Sequence, residues 1–79
     1  MNKNFEEEYR LLGLNIAYYR KRAGMTQLQL AELVNISRTH ISTIEGFHSK
    51  TSISLDTLFR IADVLDVPVE KLFHFDYRD

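Results

Sequence analysis

Apolar residues return along this chain at intervals of three and four, in short bursts separated by polar residues suited to capping helices. Leu12, Ile16, Tyr19 and Ala23 keep that spacing and predict a long helix over residues 5–23 with these side chains facing the core. Leu11, Leu14 and Tyr18 fall outside that stripe. Leu30, Ala31 and Val34 predict a short second helix, and Ile41, Ile44 and Phe47 continue the buried pattern in a third. Leu55, Leu58, Phe59, Ala62 and Leu65, with Ile61 alongside, form the stripe of a fourth. A last short helix carries Leu72 toward Phe73, which is also expected in the core. No stretch alternates apolar and polar residues between hairpin turns, so the expected fold class is all-α.

The boundaries of these helices carry their own signals. Thr26 can accept from the free backbone N–H groups of a new helix, and Gln29 can reach back to the N–H of Thr26, which makes a capping box. Met25 and Leu30 stand at the two positions of a hydrophobic staple around that cap. The same staple recurs as Ile36–Ser37–Ile41, Ile53–Ser54–Leu58 and Val67–Pro68–Leu72. Pro68 suits a helix start because its missing N–H would have no partner there. Asn35 and Gly24 are the residues best able to end the preceding helices in a left-handed conformation. Acidic residues Glu6, Glu7 and Glu8 open the first helix and Arg20, Lys21 and Arg22 close it, while Asp56 opens the fourth, all favourable to the helix dipole.

Two short helices joined by a tight turn over residues 26–45 have the layout of a helix-turn-helix, whose second helix can lie in the major groove of DNA. With Ile41 and Ile44 buried, Arg38, Thr39, Ser42 and Thr43 face outward, a small polar surface without a carboxylate.

Composition narrows the possibilities. Seventy-nine residues predict one domain spanning residues 1–79, with no second unit for sensing a metabolite or performing catalysis. The absence of cysteine excludes disulfides and thiolate metal sites and suits a reducing cytoplasm. No apolar run reaches membrane-spanning length and no signal peptide is evident, so a cytoplasmic protein is expected. The net charge of -1 is unusual for a DNA-binding domain, but its distribution is uneven. Residues 10–50 carry six basic and two acidic side chains, whereas residues 51–79 carry three basic and six acidic ones. The basic middle contains the helix pair. Residues 46–52 read as a loop, and the tail 75–79 as loosely ordered.

The segments LGLNIAYYRKRAGMTQLQLAELVNISRTHISTIEG and SLDTLFRIADVLDVPVEKLF, within residues 12–73, resemble the phage-repressor (Cro-like, or XRE) helix-turn-helix family. The combination of GMTQ, LA, a serine at the second cap, IS-x-IE and the LF ending makes the resemblance specific. It implies a five-helix, lambda-repressor-like DNA-binding domain. It further implies base contacts from Arg38, Thr39 and Thr43, and phosphate contacts from Gln27, Ser37, His48, Ser49 and Lys50. Arg20 and Glu45 match a pair that in relatives forms an internal ion pair between the first and third helices, and partial burial is expected for it here. The chain departs from the family pattern at Gly46 and Phe47, which reverse the usual order of a polar residue followed by glycine. The loop that follows is also about two residues longer than is common.

Arginine suits the role assigned to Arg38 because its planar fork matches the two major-groove acceptors of guanine. A threonine methyl can pack on the thymine methyl, and its hydroxyl can donate or accept. The expected function is therefore a transcription regulator, such as a repressor, that binds double-stranded DNA as a homodimer on a near-palindromic operator. One alternative is the antitoxin of a toxin–antitoxin pair, which adds a toxin partner. The other is an interaction module that kept the fold without binding DNA. Phe75 and Tyr77, past the last helix, either fold back or contribute to a dimer interface, and the interface is slightly favoured. His40, His48 and His74 lack a shared ligand spacing, so no metal is expected. Ser37 and Ser42 with His40 on one helix give no nucleophilic triad, so no enzyme is expected. No cofactor, membrane contact or small-molecule effector is expected either.

Overall fold

The structure, a computed structural model, describes residues 5–46 and 52–75. Among these residues five helices follow one another: α1 (Glu6–Arg22), α2 (Gln27–Val34), α3 (Arg38–Glu45), α4 (Leu55–Leu65) and α5 (Val69–Leu72). The all-helical expectation holds. The caps explain the boundaries. Thr26 Oγ1 accepts from Gln29 N at 3.0 Å while Gln29 Oε1 accepts from Thr26 N at 2.8 Å, which closes the capping box. Ser37 Oγ accepts from His40 N at 3.0 Å and Ser54 Oγ from Thr57 N at 3.1 Å. Asn35 ends α2 at φ 66° and Gly24 follows α1 at φ 76°. Asp66 ends α4 in the same left-handed region, at φ 57°. Phe5 precedes α1 without a side-chain cap, and Pro68 takes the cap position of α5.

All four staples pack as their spacing predicts. Leu30, Ile41, Leu58 and Leu72 are buried, and their partners Met25, Ile36, Ile53 and Val67 are half-buried against the same core. Leu12 and Ile16 of α1, Ala31 and Val34 of α2, Ile44 of α3 and Ile61, Ala62 and Leu65 of α4 complete it. Several side chains assigned to the core are elsewhere. Leu55 and Phe59 are 64% and 53% exposed, because the buried face of α4 centres on Leu58, Ile61, Ala62 and Leu65. At about 100° per residue, Leu55 and Phe59 lie roughly 70–110° round the helix from that centre. Ala23 is exposed because α1 has already ended, and Tyr19 is only half-buried. Phe73, the residue after α5, is 47% exposed. Phe47 lies outside the described residues.

Polar cross-ties hold the ends of the bundle. Asn15 Nδ2 donates to the carbonyls of Leu72 at 2.8 Å and His74 at 3.2 Å, which fastens the segment after α5 to the middle of α1. Arg60 Nη1 donates to Val34 O at 2.7 Å, so a cation from α4 satisfies a terminal carbonyl of α2. Among the described residues no helix is long and apolar enough to cross a membrane.

Candidate nucleic-acid interface

The turn between α2 and α3 is closed by backbone bonds from Asn35 N to Glu32 O (3.3 Å) and from Ile36 N to Ala31 O (3.0 Å), the pattern of a left-handed helix stop. Ile36 then drops toward the core and Ser37 restarts the chain as α3. On α3, Ile41 and Ile44 point inward and are almost fully covered. Arg38, Thr39 and Ser42 are exposed, and Thr43 is half-buried. The Arg38 side chain has no hydrogen bond or ion pair among the described residues. Thr43 Oγ1 donates to Thr39 O at 2.9 Å, so its proton is engaged by its own helix.

The back of α3 is fastened by a buried charge cluster. Arg20 Nε donates to Glu45 Oε2 at 2.8 Å and Nη2 to Glu45 Oε1 at 2.9 Å, a two-pronged contact. Nη1 of the same guanidinium donates to Met25 O at 2.8 Å, which fixes the turn before α2. Gln27 Nε2 donates to Glu45 Oε1 at 3.0 Å. One carboxylate at the end of α3 thus holds side chains from α1 and α2 together. The ion-pair side chains are only 9% and 6% exposed, deeper than the partial burial expected. Gln27, assigned to a phosphate, is half-buried and braces α3; its second amide proton remains for an outside acceptor.

Glycine at position 13 lets α1 and α3 meet backbone to backbone. A Cβ there would run into the carbonyl oxygen of Ile44 and lie 3.3 Å from Glu45 Cα. The interior glycine in a helical pattern was the available signal, since it weakens a helix and calls for a packing reason. Nothing along the sequence pointed to Arg60 or Asn15, whose partners are backbone carbonyls distant in the chain.

Ser37 serves as the cap of α3, while His48, Ser49 and Lys50 lie outside the described residues, as does Tyr77. Phe75 is half-buried against the core, beside Phe5, Tyr9, Leu12 and Phe73. Among the described residues no group of three or more His, Asp or Glu side chains could hold a metal ion.

The helix-turn-helix family model matches residues 16–72. The HTH-type transcriptional regulator SinR of Bacillus subtilis is 34% identical over 62 residues, covering 78% of this chain and 55% of that protein. The control protein C.SmaI of Serratia marcescens is 34% identical over 62 residues, covering 78% of this chain and 71% of that one. The chain therefore spans about half the length of SinR. In three dimensions it is similar to the restriction-modification controller C.AhdI from Aeromonas hydrophila, with a TM-score of 0.78 over 85% of this chain and 98% of that one. At 24% identity that likeness shows the fold alone. The N-terminal DNA-binding domain of SinR from Bacillus subtilis is 32% identical, with a TM-score of 0.66 over 84% of this chain and 94% of that one. With the family model matched across most of its length, the chain belongs to the XRE-type helix-turn-helix family.

Proposed function

We propose that the protein is a sequence-specific double-stranded DNA-binding regulator of transcription, not an enzyme, acting in the cytoplasm as a homodimer on a near-palindromic operator. The observation that carries this reading is α3 itself, buried along one side, clamped by Glu45, and presenting on the other a guanidinium that has no partner among the described residues, set among hydroxyls. Similarity to the DNA-binding domain of SinR and to the control protein C.SmaI supports it. Arg38, Thr39 and Thr43 contact bases. Gln27, Ser37 and the loop residues His48, Ser49 and Lys50 contact phosphates. A two-fold dimer sets two such helices about 34 Å apart, one turn of DNA.

The interaction-module alternative requires apolar side chains on the outer face of α3. The exposed large apolar residues instead include Leu28 and Leu33 of α2, Leu55 and Phe59 of α4, and Phe73. Those surfaces are available to a dimer contact.

Selection from random duplexes at two salt concentrations tests the reading. A two-fold-related motif is expected, with affinity that falls as salt rises because counterions are released from the phosphates. Arg38→Ala should weaken binding to that motif by about 1–3 kcal/mol, and to random DNA far less. Enrichment of no motif would refute the proposal; equal loss on both DNAs would make Arg38 a phosphate contact. Recovery of the motif upstream of the protein's own gene would support the control-protein role that the similarity to C.SmaI favours.

A further inference from the structure

Ile41 and Ile44 define the inward direction of α3, and at about 100° per residue the other positions can be placed around it. Thr39 and Gly46 lie almost directly opposite, Ser42 and Thr43 about 50° to either side, and Arg38 about a quarter-turn away. Ser42 is therefore nearer the outward axis than Arg38, whose long side chain reaches in from the edge. The two flanking hydroxyls are in different states. Thr43 has its proton engaged by Thr39 O at 2.9 Å and is half-buried, so it can offer only a lone pair or its methyl. Ser42 is exposed and its hydroxyl has no partner among the described residues. It retains one proton to donate and two lone pairs to accept.

We infer that Ser42 reads a base edge in the major groove and supplies the hydroxyl donor that Thr43 cannot. This rests on the DNA-binding reading above, and it adds a specificity residue to Arg38, Thr39 and Thr43. The serine hydroxyl suits guanine O6 or N7, thymine O4 or adenine N7 as acceptors, and the amino groups of adenine and cytosine as donors. Its single-carbon side chain brings the α3 backbone close to the groove floor. Gly46, one turn on, extends no side chain past it.

The test is selection from random duplexes with the native protein, Ser42→Ala and Ser42→Thr, together with binding of each to the native motif and to random DNA. Alanine removes the hydroxyl without disturbing an exposed helix position, and an unchanged melting temperature checks that the fold survives. Loss of the contact is expected to lower the preference for the motif over random DNA about fivefold. It should also relax selection at one base-pair position in each half-site. Ser42→Thr, which keeps the hydroxyl, should preserve the preference at that position. An unchanged motif and unchanged preference in Ser42→Ala would overturn the role of Ser42 while leaving DNA binding standing. Failure of the native protein to select any motif would overturn both.

Discussion

Glu45→Ala removes the anion from the middle of the cluster that fastens α3. It leaves the Arg20 guanidinium, whose side chain is 9% exposed, without two of its three acceptors, and deprives Gln27 Nε2 of its own. Met25 O remains the sole partner of Arg20 among the described residues. Breaking a buried pair by removing one member typically costs about 3–5 kcal/mol, because the surviving charge stays in a poor solvent. A domain of 79 residues has a total stability of roughly 4–12 kcal/mol. The variant should therefore lose a large share of its stability and, at the lower end, unfold. Urea titration followed by far-ultraviolet circular dichroism measures the loss. The double variant Arg20→Met with Glu45→Leu replaces the pair by apolar groups and should recover to within about 1 kcal/mol of the native protein, or exceed it. A loss below about 1 kcal/mol in Glu45→Ala is what a solvated surface pair would give, and it would refute burial as the reason the pair matters.

Three further expectations follow from other positions. Gly13→Ala should destabilise by about 1–3 kcal/mol despite alanine's better helix propensity, since the new methyl meets the Ile44 carbonyl; a gain in melting temperature would contradict that contact. Asn35→Ala should cost about 1–2 kcal/mol because alanine is disfavoured at φ 66°, and Asn35→Gly should be close to neutral in the same melt. The Glu7 carboxyl, held by two hydrogen bonds from Arg10, titrates below the ordinary glutamate range, and carboxyl chemical shifts should return to that range in Arg10→Gln. Because the folded form is the more acidic, its small contribution is complete above the ordinary range and disappears as pH falls through the lowered value.

Local chemistry was the legible part of this chain. The capping box at Thr26, the serine caps, the left-handed Asn35 and the four staples are each settled within about six residues, and each appears where its spacing put it. Faces were read less well than boundaries. Leu55 and Phe59 share the apolar character of the α4 stripe but not its direction, and hydrophobicity alone does not say which side of a short helix meets its neighbours. Phe73 was placed in the core and is exposed, while Phe75, beyond it, packs against the core. The Asn15 bonds to Leu72 and His74 set the path of that segment, and they join residues nearly sixty positions apart. In the candidate interface, the pairing of Arg20 with Glu45 was legible through family resemblance, but its depth was not. Depth depends on how closely α1 approaches α3, and that closeness comes from a missing side chain at position 13.

For the DNA-reading role proposed above, that backbone-to-backbone seam has a consequence for how a target could change. Where helices are spaced by side chains, swapping one for another of slightly different bulk can tilt them by degrees. Here the tilt is set by main chain against main chain, so few intermediate poses exist. New preferences must then arise by replacing outward-facing residues one at a time on a stage that does not move, and grafting another reader's outward residues onto this scaffold should carry over its taste in sequence.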